Sequence, residues 1–137
     1  MSYVHLLVFD RFSDWEPSYA VACLNHPAGQ AQAGSLRVRT VAASLPPVLT
    51  TGGLRIVPDG QLESLRPAES AMLILPGGAA WETGGNREAA EKAKEFLAAG
   101  VPVAAIAEAT VGLARAGLLD DRHHTSNTAE YLLRAGY

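Results

Sequence analysis

The 137-residue sequence contains one cysteine, Cys23, so no disulfide can close within the chain. A single thiol suits a reducing compartment, and a cytoplasmic location is expected. No apolar run approaches the ~20 residues needed to span a bilayer, and no membrane association is expected. The first residues, MSYVHLLVFD, lack the basic start and small-residue cleavage site of a secretory leader and enter a strand at once. Basic residues are sparse, 11 Lys and Arg against 14 Asp and Glu, and they do not cluster. With a net charge of −3 the chain shows none of the electrostatic footprint of a nucleic-acid binder. The dinucleotide motif G-x-G-x-x-G, the phosphate-binding G-x-x-x-x-G-K-[ST] and the serine elbow G-x-S-x-G are all missing. No cofactor and no metal are expected. Asp120–His124, DDRHH, offers metal-ligand residue types. Adjacent histidines point apart in most local structures, so a solvated surface loop is the better reading.

What is present is a globular composition, 48% hydrophobic and 18% charged, of a length that suits one domain over residues 1–137. Three short apolar runs read as strands buried on both faces of a parallel sheet: Tyr3–Phe9, Ala71–Gly78 and the segment VPVAAIA ending at Ala107. Leu36–Ala43 alternates, placing Arg37 and Arg39 on one face, as near a sheet edge. PPVLTTGGLRIVPDG reads as a hairpin turning at Thr51-Gly52-Gly53. A first helix has Ser13 or Asp14 as its cap, with Glu16 and Pro17 in its first turn and an apolar face of Tyr19, Val21, Ala22 and Leu24. His26–Gly34 is a polar loop, Asn86–Gly100 a strong helix, and EATVGLARAG a helix closed by Gly117. A last helix is capped by Ser126, Asn127 or Thr128. The order β-α-β-hairpin-β-α-β-α-α predicts an α/β fold of three layers, a doubly wound, mostly parallel, flavodoxin-like sheet with a small hairpin. The sequence stops at Tyr137 with no closing strand.

In such sheets ligands bind beyond the carboxyl ends of the strands. Three ends carry chemistry. The first leads through Asp10 and Asp14 to Glu16. The second is Gly77-Gly78, whose amides a ligand can approach closely. The third is Ala107-Glu108, where a helix N-terminus presents unpaired N–H groups and the positive end of its dipole. Together they resemble an acyl-transfer rim, with the amides after Gly77 and Ala107 as an oxyanion hole. The residue at the elbow, Ala107, has no functional group. Plainer readings stand beside these: Glu16 as a first-turn helix acid, Gly77-Gly78 as a turn, and Trp81 as cover for the helix 86–99 rather than part of a pocket mouth. Cys23, among apolar helix residues, reads as a bland buried thiol.

DRFSDWEP, LILPGG and VAAIAEATVGLARAGLLDDRHHTSN, with the hairpin, resemble the ThiJ/PfpI family along nearly the whole chain. That family shares its fold with the class I glutamine amidotransferases. The resemblance implies a cysteine at the elbow, held in a strained conformation against the helix N-terminus and hydrogen-bonded to a glutamate. Ala107 occupies the cysteine's place, Glu16 the glutamate's, and Gly78 with the Glu108 amide the oxyanion donors' places. Asn127 stands where some members have a histidine. A helix N-terminus lowers a thiol pKa and so activates it. The implied activity is a cysteine-dependent hydrolase or small-carbonyl lyase of amidase, protease or glyoxalase-like class, inactive here because a methyl group cannot attack a carbonyl. The alternative is a non-catalytic ligand-sensing, stress-response or redox domain using the same pocket. A small-molecule ligand or substrate and a homodimer are expected. Family members normally continue with a further strand and helix, so the domain looks short at its C-terminus.

Overall fold

The computed structural model describes all residues except Pro27 and Gly29 of the polar loop and Gly136 and Tyr137 at the end. The sequence readings that touch those four residues lie outside the described residues.

A five-stranded parallel sheet forms the middle layer. Its strands are β1 (Ser2–Leu7), β2 (Leu36–Ala42), β5 (Gly60–Gln61), β6 (Met72–Leu75) and β7 (Val103–Ala105), in the order β5-β2-β1-β6-β7. β1 pairs with β2 from Ser2↔Leu36 to Leu7↔Val41 and with β6 from Val4↔Met72 to Leu6↔Ile74. β6 pairs with β7 from Leu73↔Val103 to Leu75↔Ala105. The continuous apolar runs are explained by the two-residue side-chain period, which sends neighbours to opposite faces. Leu7, Leu73 and Leu75 enter the core on one face, and Val4, Leu6, Val8 and Ile74 enter the core on the other.

Helices cover both faces. α1 (Trp15–Asn25) packs Val21 and Leu24 against the Val4–Val8 face. α3 (Arg87–Ala98), α4 (Ala109–Arg115) and α5 (Ala129–Arg134) cover the other face, with Ala93, Phe96, Val111 and Leu132 buried. α3 begins after Asn86, and Gly100 (φ 77°) lies two residues beyond its end. Thr128 caps α5, its Oγ1 accepting from the Tyr131 amide at 3.0 Å. The hairpin is β3 (Val48–Leu49) against β4 (Arg55–Ile56), antiparallel.

The expected apolar face of α1 is corrected at two places: Tyr19 is 82% exposed and Ala22 is exposed. At 100° per residue, Tyr19 lies about 200° round the helix from Val21, which faces the sheet. Three short elements escape the sequence reading: β5, the single-turn α2 (Ala79–Glu82) and a 3-10 turn at Pro67–Glu69. The first is only two residues long, and the second starts in the glycine turn itself. β5 still has a consequence: it covers the end of β2, so the arginine-bearing strand lies one place in from the edge. Cys23 is half-buried.

Candidate active site

The sheet order places β1 between β2 and β6: the chain runs outward from β1 to β2 and β5, then crosses back to add β6 and β7 on the other side of β1. The crevice at this switch point is where open α/β sheets place their ligands. The loops after β1, β6 and β7 meet there. Leu75 and Ala105 are register partners, so Gly77 and Ala107, each two residues further on, leave neighbouring strand ends. The Ile106 amide donates to the Leu75 carbonyl at 3.0 Å and carries the ladder up to the elbow.

Ala107 has φ 49°, in the left-handed region. A residue with a Cβ enters that region at a cost of about 1–2 kcal/mol. The first turn of α4 holds it there: the Ala109 amide donates to the Ile106 carbonyl at 3.0 Å and the Thr110 amide to the Ala107 carbonyl at 3.1 Å. Thr110 Oγ1 also donates to the Ala107 carbonyl, at 2.7 Å. The same hydroxyl lies 2.7 Å from Ser126 Oγ, which ties the 120s loop to the elbow helix. The sequence singles out Asn127 in that loop. Asn127 is exposed, and the residue that reaches the elbow helix is Ser126. The available signal is the threonine three residues after the elbow, a type that readily bonds back to a first-turn carbonyl.

Glu16 reaches across from the first turn of α1. Its carboxylate accepts from the Gly77 amide at 3.3 Å. Gly77 in turn accepts from the Ser13 amide at 2.9 Å, locking the β6 turn to the β1–α1 loop. A side chain at Gly77 would overlap the carboxyls of both Glu16 and Glu108 and would displace them from the turn. Burial pushes the Glu16 carboxyl above the ordinary glutamate range, and the nearby Glu108 charge pushes it further, against the opposing hydrogen bonds from Gly77 and Ser13. Glu108 Oε2 is buried and has no hydrogen-bond partner among the described residues. The sequence reading uses only the Glu108 amide. The carboxyl escapes it because nothing in a linear sequence places residue 108 beside residue 16.

Gly78 (φ 154°) passes so close to the Phe9 ring and the Arg11 carbonyl that a side chain there would press on both. Among the described residues, neither the Gly78 nor the Glu108 amide meets an acceptor. Both remain available to an oxygen of a ligand. Trp81 lies beneath the site, not at its mouth: it is 1% exposed. Its Nε1 donates to the Pro76 carbonyl at 2.9 Å, and its ring meets Phe9 edge-on at 6.2 Å. Its outer side lines a cleft of about 360 Å³ with Gly84, Gly85, Arg87 and Arg115. Arg115 clamps this region, donating to the carbonyls of Trp81 (2.9 Å), Glu82 (3.1 Å) and Ala135 (2.9 Å). Asp14 takes no part in the site. It holds the hairpin, accepting from Thr50 Oγ1 at 2.5 Å and the Gly52 amide at 3.1 Å.

Asp120–His124 is exposed throughout, and no cluster of three metal-ligating side chains occurs among the described residues. No helix among them is long and apolar enough to cross a membrane.

The chain resembles known proteins in sequence and fold. The chain is 40% identical over 130 residues to YoaZ of Bacillus subtilis, described as an uncharacterized protease, covering 94% of this chain and 62% of that protein. The chain therefore spans about three-fifths of that relative's length. A ThiJ/PfpI family protein from Bacillus anthracis superposes with a TM-score of 0.82 at 38% identity, covering 98% of this chain and 65% of the other. A DJ-1 superfamily protein from Agrobacterium tumefaciens superposes at 0.84 with 28% identity, covering 95% and 66%. The model of the DJ-1/PfpI family matches residues 2–137. With the sheet, the glycine turn and the elbow all inside that match, the chain belongs to the DJ-1/PfpI family.

Proposed function

We propose that this chain is a scaffold for cysteine-dependent hydrolase or small-carbonyl lyase chemistry in which Ala107 fills the nucleophile's position, so that it is inactive in this form. The observation that carries the reading is the backbone at Ala107. Alanine has no preference for φ 49°, and nothing in its methyl group requires the strain. A nucleophile would use that geometry, because it aims a side chain out of the strand end while a helix N-terminus lies behind it. Glu16 supplies the partner acid, and the Gly78 and Glu108 amides supply oxyanion donors. With cysteine at position 107, attack on a carbonyl carbon would form a C–S bond and leave the charge on the oxygen facing those amides. The substrate is a small molecule, the chain acts in the cytoplasm, and it pairs with a second copy. The name of the YoaZ relative is consistent with hydrolysis.

The test is Ala107→Cys, with the rate of thiol alkylation followed across pH. An activated elbow gives a thiol that titrates well below ~8.5. A thiol with the ordinary value sinks the nucleophile reading and leaves the pocket to ligand sensing without turnover.

A further inference from the structure

Arg39 stands out in the sequence as a charge inside a strand, and the rim around Gly77 and Ala107 makes no use of it. It is the register partner of His5 on β1. Register partners on paired strands leave the same face of a sheet, here the face that also carries Leu7 and Val41. Between β5 and β6 the chain passes through a loop and the 3-10 turn Pro67–Glu69, with no α-helix. A cleft of about 150 Å³ lies there, lined by His5, Arg39, Thr40, Asp59, Ser64 and Glu69 among others.

His5 is 5% exposed, and one edge of its ring is satisfied. Nδ1 lies 2.8 Å from Ser70 Oγ, whose single hydrogen goes to the Met72 carbonyl at 2.9 Å. Ser70 therefore accepts, Nδ1 carries the proton, and Nε2 of the neutral ring is a bare acceptor. Burial pushes the His5 pKa below the ordinary 6.5, and Arg39 pushes it further, against Glu69 and Asp59, so the ring is neutral at neutral pH. Nε2 meets no donor among the described residues. Unlike Glu108 Oε2 it is not sealed off by protein, and the space before it is the cleft. Two opposite charges line the same cleft without pairing with each other. Arg39 lies over the Tyr3 ring, 5.0 Å from its centroid, and forms no ion pair among the described residues. Asp59 commits Oδ2 to the Thr40 amide at 2.7 Å and hydroxyl at 3.0 Å, while Oδ1 has no partner among the described residues. Glu69 is engaged by Arg66.

We propose that this cleft binds a small zwitterionic α-amino acid, with its carboxylate on the Arg39 guanidinium and its ammonium between Asp59 and His5 Nε2. A guanidinium presents paired N–H donors that match a carboxylate. An ammonium has three donors and no acceptor, and the cleft answers it with a carboxylate and an imidazole lone pair. A simple anion would gain Arg39 but meet Asp59 and the His5 lone pair. A simple cation would gain Asp59 but meet Arg39. A ligand that carries both charges a few bonds apart satisfies all three groups. Size narrows the class further. At ~30 Å³ per water the cleft has the volume of about five waters, which suits glycine, alanine or serine.

The experiment titrates the unmodified protein at neutral pH with glycine, alanine and serine. The His5 ring nitrogens are followed by NMR, their signals assigned by their loss in His5→Gln. The expected result is a saturable shift of the Nε2 signal with alanine, and little response to propionate or ethylamine, each of which carries one of the two charges. Arg39 and Asp59 are exposed, and an asparagine at 59 keeps an oxygen for the Thr40 amide. Arg39→Gln and Asp59→Asn should each weaken alanine binding by about tenfold or more. A His5 signal that none of the three amino acids moves overturns the proposal. So does a response to propionate or ethylamine as strong as that to alanine, since one charge would then suffice. Should His5→Gln not fold, calorimetry with alanine answers without the assignment. Binding by the parent that weakens in both Arg39→Gln and Asp59→Asn supports the site; no binding by the parent, or binding unchanged in either variant, overturns it. Ala107→Cys reports on the elbow alone, so its failure would leave this result standing.

Discussion

Glu16 shows how one side chain links the stability of the fold to its chemistry. Its folded carboxyl titrates above the ordinary 4.5, first because of burial and then because of Glu108. Between those two values the folded state binds more protons than the unfolded chain, so stability falls as pH rises. The contribution is complete below 4.5 and is lost as pH climbs through the raised value. Glu16→Gln removes this titration and keeps an oxygen for the Gly77 amide. Urea midpoints of the variant and the parent should therefore diverge in the variant's favour as pH rises from the acid side to neutrality. A difference that stays flat across that window would show that the Glu16 carboxyl is not destabilised by its site. The residue scale is also where the sequence is hardest to read. Ala107 stands out by its place between an apolar strand and a helix, and Glu16 by the motif around it. The left-handed backbone at Ala107 is legible only through the family resemblance, because alanine itself gives no sign of it.

At the scale of elements, long-range packing overrides local preference in α4. Gly112 lies inside this seven-residue helix. On propensity alone Gly112→Ala stabilises a helix by about 1 kcal/mol. A Cβ there would overlap the Trp81 ring, which is 1% exposed and fixed by its bond to the Pro76 carbonyl and its contact with Phe9. Overpacking of this kind costs about 1–3 kcal/mol, so the substitution should lower stability by roughly 1 kcal/mol net. Chemical denaturation checks this, and a gain in stability would mean the indole yields freely. Buried strands, the hairpin and the long helices are legible because period and punctuation are local signals: Leu73 and Leu75 against Ile74, Gly52-Gly53, and Gly100 after α3. β5 and α2 are not, since a two-residue strand and a single turn carry no period. The exposure of Tyr19 is equally hard to read, because an eleven-residue helix lying on one sheet face buries only a narrow stripe.

For the whole molecule, the exposed apolar surface is the feature left without a partner. Asp14 ties α1 to the hairpin, and the two carry Trp15 (65% exposed), Tyr19 (82%), Leu49 (48%), Leu54 (60%) and Val57 (70%). Large apolar side chains gathered on adjoining elements mark interaction surfaces more often than isolated ones do. The proposed second copy would cover this surface, which both signs of charge border. Asp10, Arg11 and Arg55 are exposed on the same loops, and a two-fold axis can set the arginines of one copy against the aspartate of the other. The pairing would also cover the side of the molecule from which Glu16 enters the site. We expect light scattering to return the mass of a dimer. Tyr19→Arg combined with Val57→Arg should give a folded monomer whose unfolding midpoint no longer depends on protein concentration, because neither side chain contributes to the buried core. A monomeric parent protein at every concentration tested would remove the dimer. A dimer indifferent to both arginines would move its interface to another face.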